Sequence, residues 1–419
     1  MVRCLGGLTT RGRCLIAAGA AAALCAMLVN ERDLLRVAAF TMVLPVLASI
    51  VAGRAKIGLQ GRREVMPSPV SIGGHCQVSL TLRGAGRWSG RLLLEDTVPR
   101  SLGGPRRAIV AQPPRQADVQ LSYPLQPGER AVHWLGPLTA QVTDPLGLAR
   151  HHRTLVEADR LVVRPVVLPL IGLPAGGECG AAGGEPVSAG SRQDAVVVRS
   201  YRQGDDLRRV HWRTTARRDE LMVRVEEWAP RGGITVLLDH RASAHRGSGS
   251  TASLEYAVSL AASVYVHLRQ RGLQVRLVTV DGAVLAGAGD GAERQTDAAL
   301  DALAALRATE QHDLTPLPAT AGRQEVVAIL GALGPAAVDQ LLVRHLRAAR
   351  GHAVLLDVAA WAAGNDDHGD RKWAPDPGKA AQHLVAAGWT VAVADPQHCP
   401  SAVWNQLCNG SASRVRVPQ

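Results

Sequence analysis

Aromatic side chains are scarce in this chain, with one phenylalanine, four tyrosines and eight tryptophans among 419 residues. So few rings cannot supply a stacking platform for unpaired bases, and the arginines are interleaved with acids, which argues against nucleic-acid binding. Lysine is scarcer still: Lys56, Lys372 and Lys379 are the only ones, so the formal charge of +11 is carried by arginine. In a chain rich in Ala, Gly and Val this reads as the bias of GC-rich coding, not as the mark of a polyanionic partner. The seven cysteines (Cys4, Cys14, Cys25, Cys76, Cys179, Cys399 and Cys408) are odd in number and form no CxxC pair. That pattern speaks against a disulfide framework and a zinc site and fits a reducing compartment. No GxxxxGK[ST], GxSxG or HExxH is present, nor a GxGxxG placed after a strand, so the usual enzyme signatures are missing and no catalytic residues are expected.

Long apolar runs occur only at the start. Residues 14–30 and 37–53 are each 17 residues without a charge, just enough to cross a hydrocarbon core as a helix. The intervening Glu31–Arg36 reads as the turn of a transmembrane hairpin. Arg3, Arg11 and Arg13 precede the first span and Arg54, Lys56, Arg62 and Arg63 follow the second, while the charges of the turn cancel. The positive-inside rule then predicts a two-pass protein of the cell membrane with both termini cytoplasmic. A cleaved signal peptide would leave the second span as an anchor, with the rest of the chain outside. A lipoprotein anchor at Cys25 is disfavoured by Leu24 before it, where processing needs a small residue.

Residues 64–170 carry short alternating runs punctuated by Gly and Pro, the pattern of a small antiparallel β-sandwich, with "TDPLGLARHH" (Thr143–His152) closing one edge as a turn. His133, His151 and His152 lack ligand spacing and read as surface histidines. A Gly/Ala/Pro-rich stretch at 171–194 reads as a linker or long loop.

From residue 234 to 419 strands and helices alternate, and the strands are almost continuously apolar. This predicts an α/β domain built on a parallel sheet with helices on both faces. Such sheets take ligands at the carboxyl ends of their strands, which points to Asp239 at the end of "ITVLLDH". The sequence "DHRAS" (Asp239–Ser243) resembles the DxSxS element of von Willebrand factor A domains, whose metal-ion-dependent adhesion site holds a divalent cation. Asp239 and Ser243 match it, whereas Arg241 replaces the middle hydroxyl and "EVVAILGALG" lacks the later carboxylate. The resemblance implies a degenerate metal site for Mg²⁺, with the Arg241 guanidinium placed where the cation would sit. "GNDDHGD" (Gly364–Asp370) has Asp366, Asp367, His368 and Asp370 but no calcium-loop spacing, and reads as a solvated loop.

Between the linker and that domain, residues 195–233 include the most crowded segment: Val198–Trp228 has eight arginines, six carboxylates and two tryptophans. Gly204 and Asp205 suggest a turn and a helix cap, "DLRRVHW" one or two helical turns, and "ELMVRVEEW" a strand. Arg–carboxylate forks held by Tyr201 and Trp212 make a structural clasp the simplest reading. The run RxYxxGDDxRRxHWxxxARxxxLMVRxxE resembles the signature of the bacterial family called domain of unknown function 58. It falls on Arg199, Tyr201, Gly204, Asp205, Asp206, Arg208, Arg209, His211, Trp212, Ala216, Arg217, Leu221, Met222, Val223, Arg224 and Glu227, with Thr215 where the family usually has serine. Two membrane helices, a strand-rich middle containing Asp144–Leu148 ("DPLGL") and a von Willebrand A-like end are that family's usual layout. The resemblance implies a membrane-anchored interaction protein, not an enzyme, partnered by a MoxR-type AAA+ ATPase and often accompanied by a transglutaminase-like membrane protein. A metal-dependent phosphoryl hydrolase or nuclease using Asp205, Asp206 and His211, and an exported adhesin-like protein, are the alternatives from other classes.

Overall fold

The apolar runs at the N-terminus form two helices in the structure, a computed structural model. It describes residues 7–54, 60–83, 92–110, 119–144, 146–174, 196–200, 222–226, 233–287, 292–312, 314, 325–345, 350–363 and 375–409. Helix α1 (Thr10–Val29) opens on Thr9, whose hydroxyl accepts from Gly12 N at 3.2 Å, and ends on Asn30 in the left-handed region at φ 57°. Helix α2 (Arg32–Arg54) follows at once. The turn is therefore Asn30–Glu31, shorter than the sequence suggested, because Arg32, Asp33 and Arg36 already lie in α2 and Arg36 pairs with Asp33 at 2.8 Å. Charge ends a membrane span, but it does not end a helix. The helices meet closely at Gly19, where a Cβ would come within 2.6 Å of Met42 and 2.7 Å of Thr41. By length and composition both can cross a membrane, and Leu24, Leu28, Phe40, Val43, Leu47 and Val51 are exposed along them.

The chain divides into two compact units, residues 1–164 and 165–419. In the first, ten strands follow the helices: β1 (Gln60–Met66), β2 (Val70–Ser71), β3 (Cys76–Arg83), β4 (Leu92–Asp96), β5 (Arg106–Val110), β6 (Val119–Leu125), β7 (Ala131–Leu135), β8 (Leu138–Thr143), β9 (Arg150–Val156) and β10 (Asp159–Arg164). They pair as three small sheets, β1-β3-β6, β2-β10-β7 and β5-β4-β8-β9, with β2 and β10 parallel and every other pair antiparallel. The expected alternation is plain in β3, where Cys76, Val78, Leu80 and Leu82 point inward to meet Leu92, Leu94, Leu138, Ala140 and Leu161 in one core. Strand β1 begins before residue 64, and Arg63 lies inside it with no side-chain exposure. Its guanidinium reaches Asp96 at 2.5 Å, Asp159 at 3.1 Å and the carbonyls of Leu135 and Glu157 at 2.9 Å each. Arg63 is thus part of the β-core rather than a membrane-flanking charge.

The second unit begins with residues 165–174 laid along a helix. Ser259 donates to Val166 O at 2.7 Å, Leu168 N donates to the Ser263 hydroxyl at 2.9 Å, and His267 Nε2 donates to Gly172 O at 2.7 Å. The start of the stretch read as a linker is therefore anchored, and residues 175–195 lie outside the described residues. Strands β11 (Val196–Ser200) and β12 (Met222–Glu226) pair antiparallel, with Arg199 opposite Val223 and Val198 opposite Arg224. There follow β13 (Ile234–Leu238), α3 (Ser253–Gln270), β14 (Val275–Thr279), β15 (Val284–Ala286), α4 (Ala292–Ala305), β16 (Glu325–Leu330), α5 (Pro335–His345), β17 (Arg350–Leu356), α6 (Val358–Ala363), α7 (Pro377–Ala386), β18 (Thr390–Ala394) and α8 (Pro400–Cys408).

Six of these strands form one sheet in the order β15-β14-β13-β16-β17-β18. It is mixed, not wholly parallel, because β15 runs antiparallel to β14. The cause is an Asp281-Gly282 turn, with Gly282 at φ 87°, that folds the chain straight back as a hairpin. Side chains of α3, α4, α6 and α8 share one core with one face of the sheet, and those of α5 and α7 share another with the opposite face. Strand β13, covered on both sides, is buried at every position.

Candidate functional site

Neighbouring strands β13 and β16 leave the sheet toward opposite edges, so the ends of these two strands form the switch point where doubly wound sheets take ligands. Asp239 follows β13 and Gly331 follows β16. The Asp239 side chain is fully buried and accepts four hydrogen bonds. Its Oδ1 takes Arg241 N at 3.1 Å and Arg241 Nε at 2.9 Å; its Oδ2 takes Arg241 Nη2 at 2.7 Å and Gly331 N at 3.3 Å. A carboxylate offers about four lone-pair sites, so this one is saturated by the chain itself. Burial alone would push the Asp239 carboxyl up, but the hydrogen bonds and charge of Arg241 hold it below its ordinary value.

Arg241 is secured in turn. Its Nη1 donates to His312 O at 3.0 Å and its Nη2 faces Ala332 O at 3.5 Å. The backbone around it is stitched by Thr309 N to His240 O at 2.9 Å, Ala242 N to Thr309 O at 2.8 Å and Ala332 N to Ala244 O at 2.8 Å. The last contact brings two strand-end loops so close that a Cβ at Gly331 would overlap Ala244 O. Only glycine fits there.

Two histidines flank the pair. His245 Nε2 lies 2.9 Å from Asp239 O, a carbonyl that can only accept, so Nε2 carries the proton. Its Nδ1 then accepts from the Ser253 hydroxyl at 3.1 Å, whose oxygen takes Arg246 N at 2.9 Å. Burial lowers the His245 pKa against the opposing pull of Asp239, so the ring is held neutral in this network. His240 is also lowered by burial, offset in part by Asp281 and Asp239. Its Nε2 is 3.6 Å from Asp281 Oδ2, and its Nδ1 has no partner among the described residues. Burial would raise the Asp281 carboxyl, but a hydrogen bond from Thr279 leads the effects that lower it.

The predicted metal pair is thus divided. Asp239 is spent on Arg241, and Ser243 lies in the single turn Ala242–Ala244, where its carbonyl faces Arg246 Nη1 at 3.4 Å. Among the described residues no group of three or more His, Cys, Asp or Glu side chains is placed to hold a metal ion. Of the signature, Tyr201, Gly204, Asp205, Asp206, Arg208, Arg209, His211, Trp212, Arg217 and Glu227 lie outside the described residues, as does Gly364–Asp370. Arg199 and Arg224 are placed by backbone alone, on facing strands β11 and β12. Sequence reasoning missed His245, Ser253, Asp281 and Gly331. The Asp281-Gly282 dipeptide between two apolar runs was a readable hairpin signal, and Gly331 directly after an apolar strand was a readable sign of close approach.

In the comparison with known families, residues 197–359 match the family described as protein of unknown function DUF58. That match supports the DUF58 family. It takes in β11, β12 and the sheet through β17, hence both Arg241 and Gly331. No curated protein matches the chain. Among solved structures, the chain is similar to the Pseudomonas fluorescens alkylpurine DNA glycosylase AlkC bound to DNA containing an abasic site analog. The identity is 12% over 32% of this chain and 40% of the glycosylase chain, with a TM-score of 0.16. It is also similar to Northeast Structural Genomics Consortium target SoR45, at 10% identity over 26% of this chain and 88% of that one, with a TM-score of 0.17. Likenesses this slight say nothing about activity.

Proposed function

We propose that this DUF58-type chain is a membrane-anchored interaction adaptor, working with a MoxR-type AAA+ ATPase in the assembly or remodelling of a partner complex. In this reading α1 and α2 cross the cell membrane with both termini in the cytoplasm, and the second unit is a von Willebrand A-like platform. The observation that carries it is the Asp239–Arg241 pair: the seat where such a sheet would hold a cation or a substrate is filled by the chain's own guanidinium. A sheet whose ligand seat is closed from within is suited to presenting a protein-binding surface, as an adaptor requires. Support for the anchor comes from the two apolar helices and their exposed aliphatic faces. Of the basic residues counted for orientation, Arg63 drops out because it is buried, while Arg11, Arg13 and Arg62 remain exposed on the same side of the spans as the β-strands.

The full chain, purified in detergent, should give no heat on titration with Mg²⁺ or Mn²⁺, and should copurify with the co-expressed ATPase in the presence of a chelator. Metal binding that disappears in Asp239→Ala would show that the seat is a working metal site. Failure to capture the ATPase under any condition would sink the adaptor reading. A cytoplasm-active reporter fused after Gln419 should be active, and activity of a periplasm-only reporter instead would reverse the topology and remove the ATPase from reach.

A further inference from the structure

The "DPLGL" turn does more than close an edge of the β-core, because it is the seat of the helical hairpin. Thr9 N donates to Leu148 O at 2.9 Å and the Thr9 hydroxyl donates to Gly147 O at 2.7 Å. Arg150 N donates to Gly7 O at 2.6 Å, and Leu8 forms an antiparallel bridge with Ala149. Gly12, one turn into α1, is so near Leu148 O that a Cβ there would overlap it. The end of α2 reaches the same strand: Ser49 Oγ is 3.4 Å from His151 Nε2, and Arg153 Nη2 donates to Gly53 O at 2.5 Å. His151 is therefore a packed contact between helix and strand, not the surface histidine its sequence suggested.

The turn itself is braced by Asp144, which is buried. Its carboxylate takes Leu146 N at 2.9 Å and Ala149 N at 2.5 Å, its carbonyl takes Gly147 N at 3.0 Å, and its own N donates to Ala149 O at 3.2 Å. Leu146 is turned outward, 57% exposed, while Leu148 two residues later is buried. Ile109 and Trp134 are exposed as well, but Leu146 lies on the turn that seats α1. Arg11 reaches the turn, since a Cβ on Gly147 would lie 3.8 Å from its Nη1, and Arg13 in the first turn of α1 and Arg150 at the start of β9 are exposed as well. An outward aliphatic side chain on a turn that a guanidinium reaches, level with the point where two apolar helices leave the β-core, matches the boundary between acyl chains and phosphates.

The geometry points to the Asp144–Leu148 turn as a membrane-interface wedge: Leu146 enters the headgroup boundary of the bilayer beside α1, and Arg11, Arg13 and Arg150 meet lipid phosphates. The inference rests on the reading that α1 and α2 span the membrane. It adds that the β-unit is held against the bilayer surface by this turn instead of hanging free from the hairpin. The end of β9 away from the turn, at Glu157, then faces water.

An environment-sensitive fluorescent amino acid, incorporated singly at position 146, 157 or 43 of the full chain, tests this in vesicles of phosphatidylcholine and phosphatidylglycerol. Leu146, Glu157 and Val43 are all exposed, so no packed side chain is replaced. The probe at 146 should emit to the blue of the probe at 157, lose most of its emission to a nitroxide-bearing lipid and lose little to aqueous iodide. The probe at 157 should do the reverse. If 146 behaves like 157 while 43 is quenched by the lipid nitroxide, the hairpin spans and the wedge is wrong. If 43 is also open to iodide, the membrane reading itself fails and the wedge fails with it.

Discussion

Among the described residues each unit buries one arginine against an aspartate, and the two pairs do different work. Arg63 and Asp96 are 33 residues apart, and their pair ties the first strand after the helices to the middle of the β-core. The arginine also serves two carbonyls and Asp159, while Asp96 keeps a second donor in Tyr123 at 2.6 Å. Burial leads the effects that raise the Tyr123 phenol, so that hydroxyl stays protonated and remains a donor. Arg241 and Asp239 are two residues apart and order almost no chain by meeting. Their pair instead occupies a place where the fold would otherwise present an open carboxylate. The same chemistry serves long-range anchoring in one unit and saturation of a strand-end carboxylate in the other. Separation along the chain distinguishes the two, since a local pair repays little loop entropy.

The sharpest way to break this comparison is to remove the arginines one at a time. Arg241→Met leaves Asp239 buried with only two backbone amides, that of position 241 and that of Gly331, and should destabilise the second unit by about 3–5 kcal/mol. Arg63→Met should cost the first unit somewhat less, about 3 kcal/mol, because Tyr123 still serves Asp96. Hydrogen exchange of the full chain, resolved by peptide, should place each loss in its own unit. A loss shared equally by both units would mean they do not respond separately. Restoring the apolar balance with Asp239→Leu in the Arg241→Met background should recover most of the stability, to within about 1 kcal/mol. If it does not, the charges at the switch point do something besides satisfy each other.

Acid should separate the units next. His352, buried on β17, has no partner for either ring nitrogen among the described residues, and burial pushes its pKa down to about 4. The folded state resists a proton that the unfolded chain accepts near pH 6.5. The stability it contributes is therefore complete above about pH 6.5 and is lost as pH falls toward 4, by about 3 kcal/mol in all. His240 and His245 act in the same direction from the strand end. Denaturant melts of the second unit across pH 4 to 7 should steepen accordingly, and His352→Leu should remove the largest share of the slope. An unchanged slope in that variant would assign the effect to the histidines beside Asp239.

The smaller effects come from backbone positions. Gly331→Ala forces a methyl into Ala244 O and should cost about 1–3 kcal/mol, read as faster exchange at β13 and β16. Asp144→Ala, its counterpart in the first unit, leaves the Leu146 and Ala149 amides without their carboxylate and should cost about 1–2 kcal/mol, seen as exchange around β9.

Patterns of period and length were legible along the chain. Apolar runs without charge marked α1 and α2, alternation marked β3, and continuous apolar strands marked β13, β16 and β17. The candidate site was half legible. "DHRAS" at a strand end located it, and Arg241 in place of a hydroxyl foretold the guanidinium. What supports that guanidinium could not be read, because His312 and Ala332 are 71 and 91 residues away and contribute only carbonyls, which every residue has.

The sequence by itself determined that two long apolar helices would open the chain and that Asp239 would stand at the end of a buried strand, since both follow from local pattern and need no partner. Only the tertiary structure decided that Arg63 belongs to a core and not to a membrane flank, that β15 turns the sheet mixed, and that Asp239 has no lone pair to spare. Those outcomes depend on backbone groups brought together from distant segments, and a backbone amide or carbonyl has no letter in a sequence.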